Sequence, residues 1–573
     1  MVAGVLTRTV PRVLMALALC AILLPACNKE DAPDHAVQLT VVQVDAQAPA
    51  PFQLAVQACA GLHNRKVGGS VYIDMEAHDK TWLDELDIKP HATVSAPDFL
   101  KACVAAFPAC VRYNYKDQQA LLPNILTVAA ALDAVPLDDG LTVTCANVAF
   151  DATQQFKDQN TPYLATKYVF EHYVQHTTGL AMLSPGYDEH PAVVAQPTLT
   201  KDMSPALVDF VFSQKLFVVY LVNGCTEGNP ERDLLSSIVN AGHWPTPLGV
   251  YGYNSTWNIG GGDLYEAQTR CLASRNMGAI ASMTGNLSFF STRRAPIAKA
   301  GEVKQNALEP TQYDPGKTYV AFVVGDGDNV EYMMHTRHDW FRQRLVECQQ
   351  ENNACPPLTW TISPHLPRLA PDLLEWYYQQ SHQTGKDYFT LPPSGHLYAY
   401  PTSLADADQD RFVAATQQDA RILGVTGTVH WDWSDSWQDA EGHFLPKYAT
   451  ADGAIRGVFP VNVPFMLPAF DWWPTDRFYE VLAGKDGGKV VVFRPREWRG
   501  VNNNDDAFFL GPDKMAAELG GYPKGTVTWV YMTSDGGLSL ENAFLPMAKL
   551  LPAHVQLVSA DTAAKLAIAA GQK

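Results

Sequence analysis

The feature that most constrains this chain is a repeated pattern of short apolar runs after residue 315, separated by longer helical or irregular segments. The predicted strands are Tyr319–Val324, Leu358–Ile362, Tyr388–Leu391, Val425–His430, Ala454–Pro460, Lys489–Phe493, Val527–Met532 and Val555–Val558. Such alternation predicts parallel strands with crossovers, and eight runs over this length predict a (β/α)8 TIM-type barrel. A seven-stranded variant is the alternative, because the run at Ala454 is weakly patterned.

Polar and aromatic side chains follow these runs, at the carboxyl ends of the predicted strands. Active sites of β/α barrels lie at that end. The candidate catalytic residues found there are carboxylic acids: Asp326, Asp328, Asp432, Glu497 and Asp535. The candidate substrate-binding residues are Asn329, His365, His396, Tyr398, Tyr400, Trp433, Asp435, Arg494 and Trp498.

This combination of carboxyls and aromatic rings is typical of glycoside hydrolysis, which needs a carboxylic acid and a carboxylate flanking the scissile bond. Aromatic faces contact the apolar side of a sugar ring. Burial beside Trp431 and Trp433 would raise the pKa of Asp432 toward general-acid use. By analogy with barrel glycosidases, Asp432 would pair with Asp535, and Glu497 competes for either role.

Two strand-end segments carry a resemblance to a known family. Gly395, Tyr398, Tyr400 and Pro401 match the motif of the GxGYxYP glycoside hydrolase family, although Leu397 replaces its second glycine. The strand end Val323–Asn329 is similar to the family's DGDN-like segment, and two further stretches resemble its ends: Gly61–Lys66 and Val558–Thr562. The resemblance implies a carbohydrate substrate and hydrolase activity.

Other readings of these residues stay open. Asp326–Asn329 would also suit a helix cap, and Asp326 with Asp328 would suit Ca²⁺, although no cofactor is expected. His335 and His338 have the spacing of two metal ligands on one helix face, and Asp326 with Asp328 lies nearby, so a metal-dependent carbohydrate deacetylase is a further alternative. A non-catalytic glycan-binding surface lipoprotein is the alternative outside the enzymes.

The N-terminal half alternates strand-like and helical patterns in a way that predicts small α/β domains with parallel sheets. The predicted divisions are a signal peptide (1–26), a tether (27–36), three α/β domains (37–96, 97–185 and 186–296), a linker (297–315) and the barrel (316–573).

The first residues predict export and lipid attachment. Arg8 and Arg12 precede an apolar run that is too short to span a membrane. Leu24–Cys27 reads as a lipobox, which predicts lipidation of Cys27 after cleavage, and Asn28 favours the outer membrane of a cell with two membranes. The formal net charge of −18 without a basic run argues against nucleic acid and polyanionic partners.

Eight cysteines follow Cys27, and their even number in an exported chain predicts disulfides. The pairs we expect from short spacing, with the remainder joined, are Cys103–Cys110, Cys348–Cys355, Cys59–Cys145 and Cys225–Cys271. Eight cysteines allow 105 connectivities, so this set is one of many.

Overall fold

The computed structural model describes residues 38–187, 197–254, 264–350, 355–433, 435–461, 473–502, 507–533 and 538–571. The predictions about the signal peptide, Cys27 and Asp535 lie outside these ranges. Within the ranges, no helix has the length and apolar character needed to cross a membrane.

The part of the chain before residue 297 contains small sheets in which the strands run parallel. Their orders are β2-β1-β3, β5-β4-β6 and β10-β9-β7-β8. These strands are β1 (Thr40–Gln43), β2 (Val71–Asp74), β3 (Ala92–Ser95), β4 (Ala109–Tyr113), β5 (Val135–Asp138), β6 (Asn147–Asp151), β7 (Leu180–Met182), β8 (Phe217–Val219), β9 (Leu248–Gly252) and β10 (Met277–Ala281).

The later strands coincide with the eight predicted runs, apart from small shifts at their ends and two additional strands, β16 and β18. They are β11 (Thr318–Val324), β12 (Leu358–Thr361), β13 (Asp387–Thr390), β14 (Gly427–Trp431), β15 (Gly457–Val461), β16 (Tyr479–Ala483), β17 (Lys489–Phe493), β18 (Glu497–Trp498), β19 (Val527–Met532) and β20 (Val555–Val558).

The predicted closed (β/α)8 barrel is not confirmed, because these strands lie in two hydrogen-bonded sheets. One has the order β13-β12-β11-β19-β18, with β20 beside the first half of β11; the other has the order β14-β15-β17-β16. β16 is antiparallel to β17, unlike its neighbours. A single parallel bridge from Leu391 to Thr428 joins the two sheets. The fold is therefore mixed α/β with mainly parallel sheets.

Helices connect and cover the strands. The helices before residue 297 are α1 (Ala50–Lys66), α2 (Asp79–Glu85), α3 (Ala96–Ala106), α4 (Tyr115–Gln118), α5 (Leu122–Ala131), α6 (Ala152–Gln155), α7 (Pro162–Tyr173), α8 (Val208–Gln214), α9 (Pro230–Ala241), α10 (Leu264–Ala273) and α11 (Leu287–Arg293). Those after it are α12 (Val330–Met334), α13 (Thr336–Gln350), α14 (Leu366–Leu369), α15 (Pro371–Thr384), α16 (Asp406–Leu423), α17 (Trp437–Asp439), α18 (Pro512–Gly521), α19 (Leu545–Leu550) and α20 (Ala560–Ala570).

Disulfides join neighbouring elements, and two of the four predicted pairs are correct. Cys225–Cys271 and Cys348–Cys355 are present as predicted. The other cysteines pair as Cys59–Cys103 and Cys110–Cys145, so the predicted Cys103–Cys110 and Cys59–Cys145 pairs are wrong. The reason is helix packing: α1 contacts α3, which brings Cys59 to Cys103.

The Gly-Tyr-Tyr-Pro motif segment joins the two halves of the chain. Tyr398 exchanges two backbone hydrogen bonds with Ala279 of β10, each 3.0 Å long. Gly278 permits this approach, since a Cβ there would lie 2.7 Å from the Cβ of Leu397. The motif therefore docks the later sheets onto the sheet that contains β10.

Candidate active site

The loop that follows β11 is held by backbone hydrogen bonds to its neighbours. The Gly325 N–H donates to the carbonyl of Met532 at the end of β19, at 2.8 Å. The Gly327 N–H donates to Oγ1 of Thr361 at the end of β12, at 2.9 Å. Two adjacent strands thus fix the backbone that carries Asp326 and Asp328.

Asp326 and Asp328 are the acidic residues of this loop, and the charge of Asp326 acts on the carboxyl of Asp328. Burial, and then the negative charge of Asp326, raise the pKa of Asp328 to about 7, although the Asp328 side chain keeps part of its surface accessible. Asp326 has a φ of 64°, in the left-handed region that few residues other than glycine adopt. A carboxyl that is about half protonated near neutral pH can deliver a proton.

A buried guanidinium donates hydrogen bonds to the backbone around this loop. Arg337 of α13 is 1% exposed and donates to the carbonyl oxygens of Gly325 and, at 2.9 Å, Thr361. Its guanidinium also lies 5.3 Å from the ring centroid of Trp360. Because its hydrogen bonds go to carbonyls, Arg337 positions the loop, and its positive charge opposes the rise in the pKa of Asp328.

Tyr531 lies beside the same loop. The register of β18, β19 and β11 aligns Glu497, Tyr531 and Val323 across three neighbouring strands. The Tyr531 hydroxyl is buried and makes no hydrogen bond within the described structure. It would lie 2.1 Å from a Cβ at residue 325, so only glycine fits there.

The surroundings keep the Tyr531 hydroxyl protonated. Burial, then the charges of Asp326 and Asp328, hold its pKa well above the ordinary value of 10.0. Glu497 is fully buried and accepts a hydrogen bond from Nε of Arg499 at 2.7 Å. This ion pair holds Glu497 away from solvent on the strand next to Tyr531.

Asp432 lies at the end of β14 and is buried, as the sequence predicted. Burial raises its pKa, while hydrogen bonds from His430 and Thr402 oppose the rise. His430 Nε2 lies 2.9 Å from one carboxyl oxygen, and the Thr402 hydroxyl donates to the other. Asp432 is 0% exposed, so in this structure it is closed off from a substrate.

His365 and His396 lie together at the ends of β12 and β13, with ring centroids 5.2 Å apart. His396 Nδ1 is 2.7 Å from a carboxyl oxygen of Asp419 on α16. Burial lowers the pKa of His365 well below its usual value of 6.5, followed by the charges of His396 and Arg368. The structure therefore keeps His365 neutral.

The remaining predicted binding residues are divided between surface and core. Tyr398 is half-buried, with its ring centroid 4.7 Å from that of Trp431, and Asp435 is exposed. Trp498 and Tyr400 are 0% exposed, so neither presents a ring face for the predicted stacking on a sugar. Trp498 instead donates to the carbonyl of Leu510 at 2.7 Å.

The structure places three further predicted binding residues in contacts within the protein: Arg494, Trp433 and Asn329. Arg494 donates to the carbonyl of Thr475 at 2.7 Å. The guanidinium of Arg270 lies 4.4 Å from the centroid of the Trp433 ring. Asn329 caps α12, as its hypothesised capping role requires, and its Oδ1 also accepts from Ser282 Oγ at 2.7 Å.

The hypothesis of a metal site at His335 and His338 does not fit the structure. His338 Nε2 lies 3.0 Å from a carboxyl oxygen of Glu85, and the His335 ring packs 4.8 Å from that of His78. Both histidines therefore face the α2 region. No group of three or more histidine, cysteine or acidic side chains placed to hold a metal occurs in the described part of the chain.

Sequence reasoning missed Tyr531 and Arg337. Tyr531 lies inside an apolar strand, and its role depends on the register of β19 beside β11. Arg337 lies in a polar helix, where arginine is usually exposed. The one available signal was Gly325 at a strand end, which permits a close approach by a neighbouring side chain.

Residues 316–463 match the family model described as "GxGYxYP putative glycoside hydrolase C-terminal domain". This confirms the resemblance over those residues, and it supports a hydrolase role. No curated protein gives a significant match.

The fold is similar to that of a crystal structure described as a putative hydrolase from Bacteroides thetaiotaomicron VPI-5482, with 17% sequence identity and a TM-score of 0.66 over 92% of this chain and 94% of that chain. At this identity the likeness shows the fold alone. The 4-alpha-glucanotransferase from Thermococcus litoralis has 12% identity and a TM-score of 0.28, covering 44% of this chain and 40% of that one, and carries no argument.

Proposed function

We propose that this protein is a glycoside hydrolase that acts on a neutral glycan or glycoconjugate, with Asp328 as the proton donor. The observation that carries the proposal is the raised pKa of Asp328, about 7, on a loop fixed by two neighbouring strands. The family match over residues 316–463 supports the same reaction class. The net charge of −18 favours a neutral substrate over an anionic one.

In the proposed reaction the Asp328 carboxyl gives its proton to the glycosidic oxygen as the bond from that oxygen to the anomeric carbon breaks. Burial, and then like-charge repulsion from Asp326, keep the proton on Asp328 beforehand. The Tyr531 hydroxyl, which stays protonated on the strand beside this loop, donates a hydrogen bond to the ionised Asp328 after transfer. A water adds its hydroxyl to the anomeric carbon and gives its proton to a carboxylate acting as base, which completes hydrolysis.

The carboxylate that activates water, or attacks the sugar, is a separate assignment. Glu497 forms an ion pair with Arg499, but it is fully buried. Asp535 follows β19 and remains the sequence-based candidate, outside the described residues. Asp432, closed off by His430 and Thr402, fits a supporting role in this proposal.

The proposal includes a barrel-like ring of strands around this site. The order β18-β19-β11-β12-β13 continues through the Leu391–Thr428 bridge into β14-β15-β17. β17 and β18 are separated in sequence by Arg494–Arg496 alone, and the Tyr531 N–H donates to the Arg496 carbonyl at 2.8 Å. When β17 and β18 are counted as one interrupted strand, this succession supports a ring of seven positions, with β20 and β16 as additions.

We also propose that the protein is anchored by lipid on Cys27 after export, on the strength of the lipobox Leu24–Cys27. Metabolic labelling with a radioactive fatty acid tests this. Label on the wild type and none on Cys27→Ala would support the anchor, and equal label on both would refute it.

The activity is tested by reducing-sugar release from a panel of neutral oligosaccharides and polysaccharides. The wild type is compared with Asp328→Asn and with Asp158→Asn, a matched change at an exposed aspartate outside the candidate site. We expect turnover that falls by roughly 10²–10⁴-fold in Asp328→Asn alone. Equal turnover by all three proteins would overturn the assignment of Asp328. Binding without turnover would favour a glycan-binding protein.

A further inference from the structure

A cavity lies in the N-terminal half, at the carboxyl ends of β7, β9 and β10. Its volume is about 250 Å³. In the sheet order β10-β9-β7-β8, the chain leaves β7 toward β8 on one side and leaves β9 toward β10 on the other. This reversal is the topological switch point at which open parallel sheets bind their ligands.

The lining of this cavity combines apolar surface with polar groups of both signs. Tyr253 and Met283 provide apolar walls, and Met283 is 48% exposed. Lys201, Asp202 and Ser204 provide a cation, an anion and a hydroxyl at the rim. Lys201 beside Asp202 balances the local charge, which suits a neutral ligand with many hydroxyls.

The polar rim is held in place by the fold. Asp202 accepts a hydrogen bond from the Tyr115 hydroxyl at 2.6 Å, which fixes the carboxylate at the cavity edge. The Lys201 N–H donates to the Gly186 carbonyl at 3.1 Å, which anchors the segment against the end of β7. A pre-positioned carboxylate and an aromatic wall are the usual means of binding one sugar ring.

The cavity is physically linked to the loop that carries Asp328. Met283 lines the cavity, and its neighbour Ser282 donates to Asn329 Oδ1 at 2.7 Å. Asn329 directly follows Asp328. The motif segment adds a second link, since Tyr398 is bonded to Ala279 of the same strand, β10.

We propose that this cavity is a remote sugar-binding subsite that holds one ring of the same neutral glycan that is cleaved beside Asp328. This inference rests on the proposed function. It gives the sheet with the order β10-β9-β7-β8 a role in selecting oligosaccharides over short glycosides. Tyr253 would stack on the ring, and Lys201 with Asp202 would bind its hydroxyls.

The test uses the purified full-length protein with Tyr253→Ala, Tyr253→Phe and Lys201→Ala, and with Lys299→Ala as a control at an exposed lysine. Each is assayed on neutral oligosaccharides of increasing length and on the matching 4-nitrophenyl monoglycosides. We expect Tyr253→Ala to lower kcat/KM for the oligosaccharide by roughly tenfold more than for the monoglycoside. Tyr253→Phe should leave the ratio of kcat/KM on the oligosaccharide to kcat/KM on the monoglycoside at the wild-type value, because phenylalanine keeps the aromatic ring. Equal losses on both substrates would overturn the subsite.

A binding experiment separates failure of this inference from failure of the proposed function. Asp328→Asn is applied to an array of neutral oligosaccharides, alone and combined with Tyr253→Ala. Binding that is lost on adding Tyr253→Ala supports the subsite, even if the wild type hydrolyses no glycan. Binding that survives the added change, or no binding at all, would overturn it.

Discussion

Replacing Asp328 with asparagine should change how the stability of the protein depends on pH. The structure raises the pKa of this carboxyl from 3.8 to about 7. A raised folded-state pKa means that the stabilising contribution of the protonated carboxyl is complete below pH 4 and is lost as the pH rises through about 7. From pH 5 to pH 8 the wild type should therefore lose about 2.5 kcal/mol through Asp328, at 1.36 kcal/mol per pKa unit.

The asparagine variant has no proton to lose at this position. Its free energy of unfolding, relative to that of the wild type, should rise by about 2.5 kcal/mol between pH 5 and pH 8. Urea unfolding at both pH values measures the difference, and Asp435→Asn shows the effect of the same change at an exposed site. Asp209, Glu441 and Asp561 also have raised pKa values, but they titrate equally in both proteins and cancel.

The reasoning fails if the stability difference between the wild type and Asp328→Asn is the same at the two pH values. That result would mean that Asp328 ionises like an exposed carboxyl, and the proton donor would have to lie elsewhere.

Three further changes test the packing around the site. Tyr531→Phe removes a buried hydroxyl without a described hydrogen bond, so the free energy of unfolding should hold or rise by up to about 1 kcal/mol while glycan turnover falls at least tenfold; loss of stability would contradict this. Arg337→Met should cost about 2–4 kcal/mol, because two buried carbonyls lose their donor, and an unchanged urea midpoint would refute that. Gly278→Val should cost about 1–3 kcal/mol through its clash with Leu397, whereas wild-type resistance to proteolysis would count against the docking role of the motif.

The strands of the later half could be predicted because each one is a short apolar run bounded by turn residues. β11 and β19 are buried throughout, and their sequences show it. Which strands pair could not be read in the same way. β20 lies beside β11, and this arrangement depends on packing between segments that are distant in sequence. β16 turns back on β17, the next strand along the chain, although a parallel neighbour was expected.

The carboxylates of the candidate site could be predicted from their positions at strand ends, and the direction of the pKa shift of Asp432 was also correct. The environments of these carboxylates could not be predicted from the sequence. The sequence favoured Asp432 as the acid beside two tryptophans, but His430 and Thr402 occupy its oxygens. Tyr531 reaches the loop only because Gly325 lacks a side chain and the two strands are in register.

The most direct test of the central claim is the dependence of rate on the leaving group. We would measure kcat for Asp328→Asn and for the wild type on a natural glycan and on a 2,4-dinitrophenyl glycoside of the same sugar. If Asp328 donates the proton, the variant should lose roughly 10²–10⁴-fold on the glycan and little on the dinitrophenyl substrate, whose leaving group needs no proton. Equal losses on both substrates would contradict the assignment of Asp328 as the acid.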